Sequence, residues 1–105
     1  MPIKKTEVIL EAITSLEKGT LRVSKHALIR MKERRIVLSE IKEVIYNSVR
    51  ETIKDQLTDD GTDWKYAIRG LNEAKDKDIR IIVLFEGQYI LVVTAIVKNL
   101  EEKNG

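Results

Sequence analysis

Cysteine is absent from this chain of 105 residues, and histidine occurs once. The absence of cysteine excludes a disulfide scaffold and every metal site that depends on thiolate ligands. A zinc site built on a single histidine would rely mainly on carboxylates, which zinc proteins seldom use. We therefore expect no structural metal and no cofactor.

Long apolar runs and a strong excess of one charge are also lacking. No stretch approaches the roughly 20 apolar residues of a membrane-spanning helix, and residues 1–7 become charged before an apolar run long enough for a signal peptide. We expect a cytoplasmic protein without membrane contact. The formal net charge is +2, from 19 basic and 17 acidic residues, so total charge does not indicate a nucleic-acid-binding protein.

The chain is long enough for one hydrophobic core. With 43% hydrophobic residues, residues 1–105 fit a single domain. We divide it into an N-terminal helix within residues 1–19, a core over residues 20–98 and a frayed tail over residues 99–105.

Three helices are predicted in the first half of the chain. Thr6 is a candidate N-cap for an amphipathic helix that ends near Gly19, and residues 21–23 are expected to form an extended link. Ser24 is expected to cap a second helix over residues 25–35, and Ser39 a third over residues 40–47.

The apolar period changes from 3.6 to 2 after residue 48, which predicts strands. Residues 49–57 form a weak edge strand, in which Glu51 and Asp55 interrupt the apolar face. The segment 59–62 is a turn, and 64–70 is a second strand. The two strongest strands, 79–85 and 89–97, form a hairpin. A run of helices before a run of strands indicates an α+β fold, with two to three helices on one face of a four-stranded antiparallel sheet.

The most informative segment is 25–35, which holds five Lys or Arg residues and one acid. In a helix, residues four apart are displaced by only ~40°, so His26, Arg30 and Arg34 form one stripe. Arg matches phosphate oxygens, and His exchanges protons near neutral pH. The stripe favours an anion site. The alternative is that the arginines are solvated charges and His26 is a residue of the helix start.

Two polar residues interrupt the apolar hairpin, namely Arg80 and Thr94. Each lies either at a strand end facing solvent or in a binding site. Strand alternation places Tyr66 and Arg69 on opposite faces, and we assign Tyr66 to the core and Arg69 to a ligand. Lys98, just after the last strand, is either a phosphate contact or a solubilising charge.

The segment His26-Ala27-x-x-Arg30-Met31-x-x-Arg34-x-Ile36, followed by Ser39-Glu40, resembles the opening of a family of small bacterial domains of unknown function. Those domains are similar to the RelE and MqsR messenger-RNA-cleaving toxins, which share the barnase-type ribonuclease fold. The resemblance covers roughly residues 21–97, and the first helix is a departure from it. The strands also lack the dense Lys and Arg array of ribosome-dependent RelE-type nucleases.

The resemblance implies a metal-independent endoribonuclease of a toxin–antitoxin system. His26 would then be the general base or acid, and Arg30 and Arg34 would hold the scissile phosphate. Arg69, Arg80, Thr94 and Lys98 are the candidate substrate-binding residues. The implied partners are RNA and an antitoxin protein, with a homodimer as a further possibility.

Two other functions stay open at this stage. Residues 25–35 and 40–47 superficially resemble a helix-turn-helix, although the basic residues lie on its first helix instead of the helix that would enter the DNA groove. Alternatively, the chain is an inactive relative that binds a partner protein through its apolar first helix.

Overall fold

The computed structural model describes residues 1–98, which form three α-helices and six strands. In chain order the elements are α1 Val8–Lys18, β1 Leu21–Val23, α2 Lys25–Glu33, α3 Leu38–Tyr46, β2 Val49–Arg50, a 3-10 helix Thr52–Lys54, β3 Gln56–Leu57, β4 Trp64–Leu71, β5 Asp78–Glu86 and β6 Tyr89–Val97. The α+β class is confirmed. The predicted tail, 99–105, lies outside the described residues.

The helix boundaries follow from local hydrogen bonds. The Ser24 hydroxyl accepts a bond from the Ala27 N–H at 3.0 Å, which confirms it as the cap of α2. The Glu40 carboxylate accepts a bond from the Val37 N–H at 3.0 Å. Because this bond closes the start of α3 at Val37, the prediction that Ser39 caps this helix is wrong. Thr6 is likewise not the cap of α1, which begins one residue after Glu7.

The sheet is larger than predicted and is mixed. Its strand order is β1-β6-β5-β4-β2, and β3 also pairs with β4. The pairs β2–β4, β3–β4, β4–β5 and β5–β6 are antiparallel, whereas β1 runs parallel to β6. The predicted four-stranded antiparallel sheet is therefore wrong. Residues 21–23, expected to be an extended link, form β1; three residues show no period, and their pairing with β6 is non-local.

The predicted edge strand over residues 49–57 is also wrong, because a 3-10 turn divides it into β2 and β3. Val49 and Ile53, the residues expected to be apolar contacts, are 64% and 89% exposed. The turn directs Glu51 and Asp55 inward, where each binds an arginine. The two carboxylates that interrupted the predicted apolar face are thus the residues that attach this segment to the sheet.

The hydrophobic core lies between the three helices and one face of the sheet. It contains Val8 and Ala12 from α1, Met31 from α2, Ile41 and Val44 from α3, and the strand residues Tyr66, Ile68, Ile79, Ile81, Val83, Val92 and Ala95. The prediction that Tyr66 belongs to the core is confirmed by its 1% exposure. We call the opposite side of the sheet, which carries Arg80, Ile82 and Ile96, the outer face.

No helix within residues 1–98 is both long enough and apolar enough to cross a bilayer.

Gly70 permits a close approach of two backbone segments. It lies on β4, opposite Ile79, and the chain passes over it between α3 and β2. A Cβ added at Gly70 would lie 2.9 Å from the Asn47 carbonyl oxygen and 3.1 Å from the Ser48 Cα. Because these neighbours are backbone atoms, a rotamer change cannot relieve the overlap.

We therefore predict that Gly70→Ala lowers the free energy of unfolding by about 2 kcal/mol, the usual cost of overpacking. Urea denaturation of both chains measures the difference. An unchanged free energy of unfolding would show that the α3–β2 connection does not lie against β4.

Candidate functional site

The outer face of the sheet carries a cleft of about 510 Å³. This volume lies in the range of small-ligand pockets in proteins. The residues that line it are Ser24, His26, Lys54, Gln56, Lys65, Arg80, Ile82, Val93, Thr94 and Ile96. The cleft therefore brings together the predicted residues His26, Arg80 and Thr94, which are up to 68 positions apart in the chain (94 − 26).

Strand register explains the floor of the cleft. Ile82 pairs with Thr94 and Arg80 with Ile96 across β5 and β6, while Lys65 on β4 pairs with Gln56 on β3. The floor therefore spans four strands and has an apolar centre with polar groups on both sides.

A bulge in β6 brings two consecutive residues to the cleft. Ile82 pairs with Thr94 but Val83 pairs with Val92, so Val93 is the extra residue. Val92 and Ala95 are both in the core, whereas Val93 and Thr94 both line the cleft. In a strand without the extra residue, side chains alternate strictly between the faces. With Val92 in the core, Thr94 would then also point to the core and Ala95 to the outer face. The bulge is thus the reason that Thr94 reaches the outer face.

His26 reaches the same cleft because α2 begins at the bulge. The Ser24 N–H donates to the Val92 carbonyl at 2.9 Å, and the Ser24 hydroxyl donates to the Val93 carbonyl at 3.4 Å. These bonds fix the first turn of α2 against β6 at the point where β1 ends. His26 is exposed on this turn. The backbone of His26 is therefore fixed beside the cleft, and the residue is one of those that line it.

The charges around the cleft favour an anion. Lys54, Lys65 and Arg80 are permanent cations at neutral pH, and His26 adds a titratable ring. Among the residues described by the structure, no carboxylate lines the cleft. Phosphate groups, with several acceptor oxygens and negative charge, are the ligands that such a set binds best.

Arg80 is 8% exposed and is fixed by Glu51. Its Nε donates to one Glu51 oxygen at 2.6 Å, and its Nη2 donates to the other at 3.1 Å. The hydrogen bond from Arg80 holds the pKa of Glu51 below its ordinary value. This two-point bond orients the guanidinium at one end of the cleft.

Arg69 and Lys98 lie beside the cleft instead of lining it. Arg69 donates to both oxygens of Asp78, at 2.8 and 2.6 Å, and lies 3.4 Å from Glu51. The hydrogen bond from Arg69 is the main reason that the pKa of Asp78 is lowered, and the charge of Lys98 contributes. These two predicted substrate-binding residues thus belong to an ionic network that supports Arg80, the register partner of Arg69.

The structure does not bring the other two residues of the helix stripe into the cleft. Arg34 is half-buried, and its Nη1 donates to the Ala95 carbonyl at 2.6 Å. Arg34 thereby attaches the end of α2 to β6. The contact lies after Val92, the last residue of β6 that pairs with β1. Arg30 lies 3.2 Å from Glu33 on the helix surface. Only the first residue of the stripe, His26, is among the cleft-lining residues in the described part of the chain.

Sequence reasoning missed Lys54, Gln56 and Lys65, and with them Asp55. The Asp55 side chain has no exposed surface and lies 2.7 Å from Arg50 and 3.0 Å from Lys4. It also accepts the Ala67 N–H at 2.9 Å. Burial alone would raise the pKa of Asp55, but the hydrogen bonds from Arg50, Ala67 and Lys4 outweigh burial and lower it.

A protein-family model matches residues 23–97, and its description is "Domain of unknown function (DUF4258)". The chain belongs to the DUF4258 family. No curated protein and no solved structure matches the chain.

All ten cleft-lining residues fall within the DUF4258 match, whereas α1 and most of β1 precede it. The cleft is thus a feature of the DUF4258 region itself.

Within residues 1–98, no group of three or more His, Cys, Asp or Glu side chains is arranged to hold a metal ion.

We predict that Glu51→Gln lowers the free energy of unfolding at pH 7 by about 2 kcal/mol, because it leaves the buried Arg80 without its counter-ion. The pKa of Glu51 is lowered in the folded state, so the unfolded chain binds more protons below the ordinary value of 4.5. The ion pair is complete above that pH, and its contribution is lost as the pH falls through the lowered pKa.

Urea denaturation at several pH values, from neutral to about 3, measures this effect. The difference between wild type and Glu51→Gln should shrink as the pH falls. A difference that stays constant over this range would show that the Glu51 charge does not stabilise the fold.

Proposed function

We propose that this DUF4258 chain is a toxin-like, metal-independent endoribonuclease that cleaves single-stranded RNA in the outer-face cleft. The observation that carries the proposal is the lining of the cleft: the one histidine of the chain, three permanent cations and no carboxylate among the described lining residues. The segment His26 to Ile36 resembles the opening of a family of small bacterial domains, and the similarity of those domains to the RelE and MqsR toxins supports the same chemistry.

In the proposed reaction, the 2′-hydroxyl of the ribose attacks the adjacent phosphorus. His26 accepts the 2′-hydroxyl proton as the new P–O2′ bond forms and the P–O5′ bond breaks. The products are a 2′,3′-cyclic phosphate and a 5′-hydroxyl end. Because the chain contains one histidine, the leaving 5′-oxygen takes its proton from a second donor, which is a Tyr, a Lys, Glu33 or water.

Arg80 and Thr94 are the residues we assign to the scissile phosphate. Arg80 is already oriented by Glu51, so little reorganisation is needed when negative charge develops on the phosphate oxygens. Thr94 offers a hydroxyl donor from the bulge. Arg30 lies one helical turn after His26, and its predicted phosphate contact stays a prediction, whereas Arg34 is assigned to the attachment of α2.

An RNA-cleaving protein of this kind needs control by a partner, and we propose an antitoxin protein for this role, as the resemblance implies. The alternative function is a non-catalytic nucleic-acid-binding domain that uses the same cleft. The two functions share the cationic lining and differ in whether His26 exchanges a proton.

We predict that His26→Ala reduces RNA cleavage by about 10²- to 10⁴-fold, the usual contribution of a general base. His26 is exposed, so the free energy of unfolding should change by less than about 0.5 kcal/mol. The measurement is the appearance of new 5′-hydroxyl ends in RNA incubated with each purified chain, and in total RNA of a bacterial host after induction.

The matched control is Lys25→Ala, which alters the neighbouring exposed residue outside the cleft and should leave cleavage unchanged. Cleavage that persists in His26→Ala would remove His26 from the mechanism. RNA binding by wild type without any new ends would instead favour the non-catalytic function.

A further inference from the structure

The cleft has a second cationic end, opposite the end that holds Arg80. Arg80 pairs in register with Arg69, and Lys65 lies four residues from Arg69 on the same strand. At about 3.3 Å per residue, these four positions place Lys65 roughly 13 Å along the sheet from Arg80. Ile82 lies between them on the floor. This value is a backbone spacing, and a lysine side chain is long enough to shorten it toward the distance between neighbouring phosphates of one strand.

Lys54 and Lys65 differ from the neighbouring cations of this side of the molecule in their ionic partners. Arg80 is paired with Glu51, and both Arg50 and Lys4 are paired with Asp55. Within residues 1–98, neither Lys54 nor Lys65 has a carboxylate partner. Their positive charge therefore remains available to a ligand.

The segment that carries Lys54 is held in place before any ligand binds. Asp55, the next residue, is joined to β2 through Arg50 and to β4 through the Ala67 N–H. Gln56 then pairs with Lys65, and the antiparallel register places the preceding residues alongside β4 in the direction of Ala67, so Lys54 and Lys65 both line the cleft from this part of the sheet. Lys54 and Lys65 are thus supplied by two elements that Asp55 joins.

We propose that Lys54 and Lys65 form a second phosphate subsite, so that the ligand of the cleft is a single-stranded oligonucleotide with at least two consecutive phosphates. This inference rests on the proposed function for its ligand class. One phosphate lies at Arg80, the next lies at the Lys54–Lys65 subsite, and the nucleoside between them covers the apolar floor at Ile82. A ligand with one phosphate uses one end only.

The test measures binding by NMR titration with 2′-O-methylated RNA, which cannot be cleaved through the 2′-oxygen. A trinucleotide with two internucleotide phosphates is compared with a dinucleotide that has one. In the double variant Lys54→Ala, Lys65→Ala, we expect the Kd of the trinucleotide to rise about tenfold at low salt, and the slope of log K against log salt to fall by about 1. The Kd of the dinucleotide should change less than twofold.

Two further double variants serve as controls. The first tests whether the charge of the two side chains or their shape matters, and the second tests whether the loss of any two positive charges has the same effect. Lys54→Arg with Lys65→Arg keeps the charges and should bind the trinucleotide like wild type. Lys18→Ala with Lys42→Ala removes two exposed lysines outside the cleft and should leave both Kd values unchanged.

A trinucleotide Kd that is unchanged in the alanine double variant would overturn the subsite. So would an equal loss for both ligands, since one phosphate would then reach both ends. A wild-type chain that does not bind the trinucleotide would also overturn it. Cleavage plays no part in these measurements, so an inactive but binding chain would refute the proposed ribonuclease and leave the subsite standing.

Discussion

The side-chain carboxylate of Asp55 connects three separate parts of the chain, and the arrangement of the outer-face cleft depends on it. Taking a carboxylate out of water is costly unless hydrogen bonds and opposite charges compensate. Here Arg50 from β2, the Ala67 N–H from β4 and Lys4 from the N-terminal segment supply that compensation. Because the surrounding segment has few apolar contacts, with Ile53 89% exposed, these polar bonds fix its position.

The positions of other groups follow from this bond network. Glu51 comes before the 3-10 turn and binds Arg80, whereas Lys54 and Gln56 flank Asp55 and line the cleft. Lys4 also lies over the Trp64 ring, 4.3 Å from its centroid, and the Trp64 indole N–H donates to the Pro2 carbonyl at 2.8 Å. The N-terminal segment is thus attached to the strand that supplies Lys65. One buried charge thus fixes both the N-terminal segment and the segment that carries Lys54 and Gln56.

The parts of the fold that sequence predicts are those specified by local chemistry. Ser24 caps α2 through its own hydroxyl, Gly19 ends α1 with a positive φ of 73°, and the β5–β6 hairpin follows from two long apolar strands with Gly87 at its turn. Sequence does not predict the short strand β1, and it merges β2 and β3 into one edge strand, because two or three residues show no period and their pairing partners are distant in the chain.

The same distinction applies to the site. His26, Arg80 and Thr94 were identified because each is unusual in its surroundings: a single histidine, and two polar residues in an apolar hairpin. Lys54 and Lys65 gave no such signal, since 34% of the chain is charged. The exclusion of Arg34 from the cleft depends on its bond to the Ala95 carbonyl, a backbone group whose direction no side-chain pattern reveals.

The parallel pairing of β1 with β6 has a consequence for self-association. An uncovered β6 would present a long row of backbone N–H and C=O groups to other copies of the chain, and such edges promote aggregation. Leu21 to Val23, the Ser24 hydroxyl and Arg34 occupy successive parts of that edge. The opposite edge consists of two-residue strands separated by a 3-10 turn, which are too short to act as a template. Both edges of the sheet therefore discourage strand-to-strand addition without covering the cleft on its outer face.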